Sequence, residues 1–153
     1  RSLAPNLTNT TFPKRTNSMA MTENHANAAA VKSSLDGLIH GVSGHSFEVL
    51  DNLYHRDMQT YLLLNDGTLM RNDKPGFMEM IKHNMGALKD DNPWVQYHLV
   101  EADDTHGHIV VSRKNNATGR YQLISLSIDF VLEDGRWQIT REVIMTRNDA
   151  THA

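Results

Sequence analysis

The 153-residue chain contains no cysteine. That absence removes disulfide scaffolds, iron–sulfur clusters, cysteine-bound zinc and thiol catalysis together. It has no apolar run of about 18 residues, the length needed to span a bilayer as a helix. A basic excess is missing too: 15 Lys+Arg stand against 18 Asp+Glu, a formal net charge of −3. Domains that neutralise phosphates usually carry surplus positive charge, so nucleic acid is not an expected partner. Hydrophobic residues make up only 39% of the chain, modest for one globular domain, whereas histidine is conspicuous at nine copies. Any chemistry must come from His, Asp, Glu, Tyr, Ser, Arg or a bound molecule.

Residues 1–24 are rich in Thr, Asn and Ser. Leu3, Leu7, Phe12, Met19 and Met21 follow no helical or strand period, and Pro5 and Pro13 interrupt the stretch, so a poorly ordered tail is expected. Lys14 and Arg15 precede polar residues rather than an apolar segment, unlike a secretory signal. A cytoplasmic protein is the corresponding expectation. Met19 or Met21 reads as an initiator, which would make residues 1–18 an extension. Residues 25–148 are expected to form one domain and 149–153 a short tail.

Within that domain helices come first and strands last. Val31, Leu35, Leu38, Ile39 and Val42 recur on one face of a helix beginning near Ala26. Phe47, Leu50, Leu53 and Tyr54 mark a second, short helix. Tyr61–Leu64 and Thr68–Met70 flank Asn65-Asp66-Gly67, a hairpin with its turn chemistry in place. Asp73 is suited to cap a third helix, with Pro75 in its first turn and Phe77, Met78, Ile81, Met85 and Leu88 on its apolar face. Four strands follow, near Trp94–Glu101, His108–Lys114, Tyr121–Leu132 and Trp137–Thr146, joined by glycine-bearing turns as an antiparallel meander. The fold class is α+β, with three helices packed on one face of a strongly curved antiparallel sheet.

Alternation assigns the faces. Gln122, Ile124, Leu126, Ile128, Phe130 and Leu132 should meet the helices, because a covered sheet face buries hydrocarbon. The opposite face, with Ser125, Ser127 and Asp129, is mixed and suits a homodimer interface. In the last strand Trp137, Ile139 and Val143 share one face, and Gln138, Thr140, Glu142 and Ile144 the other.

Three stretches in order carry a resemblance: Leu50–Asp57, Asp66-Gly67-Thr68-Leu69 followed by Phe77, and Ile128–Ile139 with its Asp134-Gly135-Arg136-Trp137 turn. Over about residues 26–147 the chain resembles the nuclear transport factor 2-like superfamily, in particular its putative lumazine-binding and SnoaL-like polyketide cyclase branches. Gly44-His45 departs from the Gly-Asp pair common in relatives at the second helix. The resemblance implies a cone-shaped domain, usually homodimeric, with a pocket between helices and sheet. It implies no single reaction, because members include enzymes and binding modules.

The expected pocket residues are Tyr54, Tyr61, Phe77, Met78, Ile81, Trp94, His98 and Trp137, suited to a small apolar or aromatic ligand. Proton transfer in such a pocket would rely on a carboxylate or histidine moved toward neutrality by desolvation. His98, Asp129 and Tyr61 are the catalytic candidates, with Tyr97, Tyr121 and Arg113 as further ionisable residues. An interior Asp129 needs solvent or a partner such as Arg113 or Arg141. His106-Gly107-His108 lacks a third ligand at a recognisable spacing, so neither metal nor other cofactor is expected. Because no strand shows a paired acid and base on its apolar face, a ligand-binding homodimer is favoured. A metal-free cyclase, isomerase or dehydratase is the alternative.

Overall fold

The computed structural model describes residues 20–43, 47–84, 94–115 and 122–149. Helices α1 (Asn27–Ser43) and α2 (Phe47–Leu53) precede strands β1 (Tyr54–Leu63) and β2 (Leu69–Asp73). Helix α3 (Lys74–Asn84) follows, then β3 (Val95–Ala102), β4 (His106–Asn115), β5 (Gln122–Glu133) and β6 (Arg136–Asn148). The α+β expectation holds, with the helices against one face of a six-stranded sheet. Residues 1–19 of the expected tail lie outside the described residues. Thr22, at its end, is held by two backbone hydrogen bonds with Ala102, of 2.9 and 3.0 Å.

Local chemistry explains the boundaries. The Asp73 carboxylate accepts the Gly76 N–H at 3.0 Å, the cap expected of it at the start of α3. The Asp66 carboxylate accepts the Thr68 N–H at 2.8 Å in the β1–β2 turn. Asp134 and Gly135 both take positive φ, 54° and 72°, as a two-residue hairpin twisted with its strands requires. Tyr54, grouped with the second helix by periodicity, opens β1 instead.

The strand order is β2-β1-β6-β5-β4-β3. The meander pairs antiparallel throughout, as expected, and β1 joins it by running parallel to β6. Val31, Leu35 and Leu38 of α1, Leu50 of α2 and Phe77 and Ile81 of α3 pack on Ile109, Val111, Ile128, Phe130 and Ile139. Val31 packs tightly on β4: a Cβ on Gly107 would stand 2.7 Å from its Cγ2. Glycine at 107 is what lets α1 settle there. Met85, Leu88 and the turn at 116–120 lie outside the described residues.

Irregularities in β6 and β3 re-aim side chains. Asp129 faces Arg141 while Phe130 faces Ile139, so Thr140 is an extra residue on β6. Such a bulge reverses the alternation. Before it Trp137 and Ile139 point toward the helices; after it Glu142, Ile144 and Thr146 do, opposite Ile128, Leu126 and Ile124. The expected grouping of Val143 with Trp137 and Ile139 therefore fails. In β3, Tyr97 faces Val111 and Leu99 faces Val110, leaving His98 as the additional residue.

Candidate active site

Between the helices and the inner sheet face lies a cavity of about 250 Å³. Leu35 and Leu38 of α1, Phe77 and Ile81 of α3, and Val111, Leu126 and Ile128 of the sheet form its hydrocarbon wall. A cavity of roughly 150 Å³ holds benzene, so this space accommodates a ring with a substituent. Polar groups enter at few points: Tyr54 and Glu142, Arg113 and Lys114, and Gln122 and Thr146.

Glu142 is the central finding. Only 2% of the residue is exposed. Its Oε1 accepts the Tyr54 hydroxyl proton at 3.1 Å. The two meet because β1 and β6 are both irregular there: β1 advances from Tyr54 to Gln59 while β6 advances only from Ile139 to Arg141. Burial in the apolar wall pushes the Glu142 carboxyl up from 4.5 to about 7, against the opposing pull of the Tyr54 hydrogen bond and the Arg113 charge. Burial likewise holds the Tyr54 phenol well above its ordinary range, reinforced by the neighbouring carboxylate. Near neutral pH Glu142 therefore exists in both protonation states. It can take a proton from a bound molecule and return it, while Tyr54 orients its carboxyl group.

Of the expected pocket residues, Tyr54, Phe77 and Ile81 line this cavity. The others have different surroundings. Met78 is buried on the side of α3 facing a surface hollow with Phe47 and Lys74; Met80 reaches the cavity instead. Trp137 lies in the core opposite Leu132, and Trp94 is half-buried with Lys114 Nζ 5.0 Å from its ring centroid.

The three catalytic candidates face away from the cavity. Tyr61 pairs with Val143, on the outer face after the β6 bulge, and its ring lies 5.9 Å and 5.7 Å from the Arg71 and Arg141 guanidinium carbons. His98 is exposed by the β3 irregularity, with its Nε2 2.7 Å from Ser112 Oγ. Asp129 also faces outward, opposite Arg141 and near Asp103 and His106. Its suggested partner Arg113 is on the inner face, paired with Ile124. Tyr97 donates its hydroxyl to Asp36 of α1, and Tyr121 lies outside the described residues.

The outer face carries a second polar arrangement. Glu101 Oε1 lies 3.1 Å from His108 Nδ1, and His108 Nε2 lies 2.9 Å from Ser127 Oγ. The order acid, imidazole, hydroxyl is that of a serine relay. Here it sits mid-sheet, where β4 pairs on both sides with β3 and β5, so the surrounding backbone N–H groups are committed to ladders. With those N–H groups committed, the set is a cross-strand polar network. Among the described residues no group of three or more His, Asp or Glu is placed to hold a metal ion. Among them, too, no helix is long and apolar enough to cross a membrane.

Sequence reasoning missed Glu142 because strict alternation placed it with Gln138 and Thr140. One signal was present: the inward apolar positions change phase between Ile139 and Ile144, which requires an odd number of intervening steps.

No protein-family pattern and no curated protein matches the sequence. Solved structures do match. A nuclear transport factor 2-like protein of unknown function from Methylobacillus flagellatus aligns with a TM-score of 0.66 at 15% identity, covering 84% of this chain and 99% of that one. One from Silicibacter pomeroyi gives 0.64 at 17%, covering 78% and 94%. A ketosteroid isomerase-like protein from Erwinia carotovora atroseptica gives 0.60 at 12%, covering 82% and 99%. The chain has the nuclear transport factor 2-like fold.

Proposed function

We propose that this chain is a small-molecule enzyme that transfers protons through Glu142, without a metal, to and from a compact, largely apolar substrate. The observation that carries this reading is a buried carboxyl in a hydrocarbon cavity, hydrogen-bonded by Tyr54 and pushed to about 7. Two titratable groups in contact within a cavity are what acid–base chemistry needs, and they tip the balance from a passive binding module toward an isomerase, dehydratase or cyclase. Structural likeness to a ketosteroid isomerase-like protein is compatible with this reading but extends only to the fold.

Hydrogen–deuterium exchange tests it directly. Small ketones such as acetophenone and cyclohexanone, incubated with the protein in D₂O, should exchange protons next to the carbonyl faster than in buffer, and Glu142→Gln should remove the acceleration. Ligands that bind but exchange at the buffer rate would make the cavity a binding site alone. In the same reading the chain works as a homodimer through its outer sheet face. Sedimentation at micromolar concentration should then give twice the 17.3 kDa chain mass; a monomer would refute the pairing.

A further inference from the structure

Tyr54 reaches Glu142 from a stretch of backbone where the sheet is irregular. It pairs with Ile139 of β6, and the next registered pair is Gln59 with Arg141, so the ladder slips directly after Tyr54. Helix α3 supports the residue from another side. Lys74, its first residue, donates from Nζ to the Tyr54 carbonyl oxygen and to the Asp51 carbonyl oxygen, both at 2.8 Å. The Asp51 carboxylate keeps the ammonium there at 3.2 Å. Phe77, about one helical turn on, meets the Tyr54 ring edge to face, with centroids 5.3 Å apart and planes at 87°.

We propose that Lys74 is a positioning residue: from α3 it fixes the Tyr54 main chain, Phe77 fixes the ring, and together they hold the hydroxyl on Glu142. The inference rests on the preceding reading of Glu142 as the proton-transfer group. Residues three apart share one face of a helix, so the two contacts act as a single clamp. Local chemistry fixes the Lys in place. A helix leaves its last carbonyls unsatisfied and its C-terminus favours a cation, yet α2 has no basic residue in its last turn. Lys74 supplies that cation from a different helix. Its side chain is only 19% exposed, so water competes weakly for the ammonium.

The Tyr54 hydrogen bond pulls the Glu142 carboxyl down against the larger upward push of burial. Slackening the clamp should therefore let Glu142 titrate higher. Near neutral pH less of it would then be ionised, the form that accepts a proton. The charged and titratable groups facing Glu142 are Tyr54 of β1 and Arg113 of β4. Lys114 of β4 lines the same cavity in its ion pair with Asp149 at 2.9 Å, and helices α1 and α3 give this wall uncharged side chains. A shift caused by Lys74 travels either through Tyr54 or directly from its own charge, and the two routes can be separated.

The test is a carbon-13 NMR titration of the Glu142 carboxyl in the full chain, its resonance assigned by its loss in Glu142→Gln. Tyr54→Phe should raise the midpoint by roughly one pH unit. Lys74→Met should raise it by about half a unit, and Phe77→Leu should act in the same direction. In the Tyr54→Phe background Lys74→Met should add nothing, as expected of residues that act through one group. Should Lys74→Met not fold, Lys74→Gln, whose amide is shorter and uncharged, gives the same reading. An unchanged midpoint in the Lys74 variant overturns the inference. An equal rise without the Tyr54 hydroxyl overturns it too, being the mark of charge alone. Neither result touches the proton-transfer reading, because the titration needs no substrate. Ketone exchange decides that reading separately. Where exchange is seen, its pH profile should move with the carboxyl in Lys74→Met, about twofold slower at pH 7 and unchanged by about pH 9. A uniform loss at every pH would show a merely structural role and overturn the positioning one.

Discussion

The two faces of the sheet hold similar side chains in opposite circumstances. Inside, Glu142 meets Tyr54 and hydrocarbon, and burial raises its carboxyl to about 7. Outside, Glu101, His108 and Ser127 share hydrogen bonds across three strands at partial exposure. Glu133 at the β5–β6 turn sharpens the contrast. A hydrogen bond from the His55 imidazole, together with the nearby Arg56 charge, holds its carboxyl below the ordinary value. Composition alone does not make a reactive acid; removal from water and the neighbours that remain do.

The largest effect should come from breaking the inner face. Glu142→Gln keeps an oxygen to accept the Tyr54 hydroxyl but cannot carry a transferable proton. Acceleration of ketone exchange should drop about 10²- to 10⁴-fold, measured by the loss of the exchanging proton resonance. Little change would remove Glu142 from the chemistry.

The same substitution should stabilise the fold in a pH-dependent way. Between 4.5 and about 7 the folded chain keeps a proton on Glu142 that the unfolded chain has lost. Stability contributed by this group therefore declines as pH rises through that window, and above it the cost is fully present. A rise from 4.5 to about 7 corresponds to about 3 kcal/mol. Urea unfolding should show Glu142→Gln more stable than wild type by about that amount at pH 8, with the gain vanishing near pH 4.5. A pH-independent difference would mean that the group titrates normally.

How much of this was legible in the sequence follows from which interactions set each feature. Val31, Leu35 and Leu38, the Asp73 cap and the Asp134-Gly135 turn are governed by neighbours within a few residues, so periodicity and turn chemistry expose them. The inward face of β5 is likewise a local alternation. Glu142 is different: its direction depends on an extra residue, Thr140, measured against a partner strand. His98 was misplaced for the same reason, since the β3 irregularity exists only in its pairing with β4. The parallel β1–β6 contact that brings Tyr54 to Glu142 spans 88 positions and leaves no local trace.

A smaller effect concerns the scaffold of the inner face. Gly107→Ala would place a methyl group 2.7 Å and 2.9 Å from the two Val31 methyls, and Val31 is fully buried. Overpacking of this kind typically costs about 1–3 kcal/mol. The same substitution combined with Val31→Ala should recover part of the loss, because the added methyl then has room. Additive destabilisation in urea would show that the close approach of α1 to β4 relaxes by some other route.

The smallest effect should come from the outer face. Ser127→Ala removes one hydrogen bond to His108, whose other nitrogen still faces Glu101 at 3.1 Å. Because the groups are only partly buried, water can replace the lost partner, and the cost should be about 1 kcal/mol or less. Ketone exchange should be unchanged, since β4 and β5 separate Ser127 from the cavity that their inner faces line. A large loss of exchange in Ser127→Ala, with urea stability intact, would reverse the comparison. The outer relay would then be part of the chemistry, and the inner carboxyl would no longer suffice to explain it.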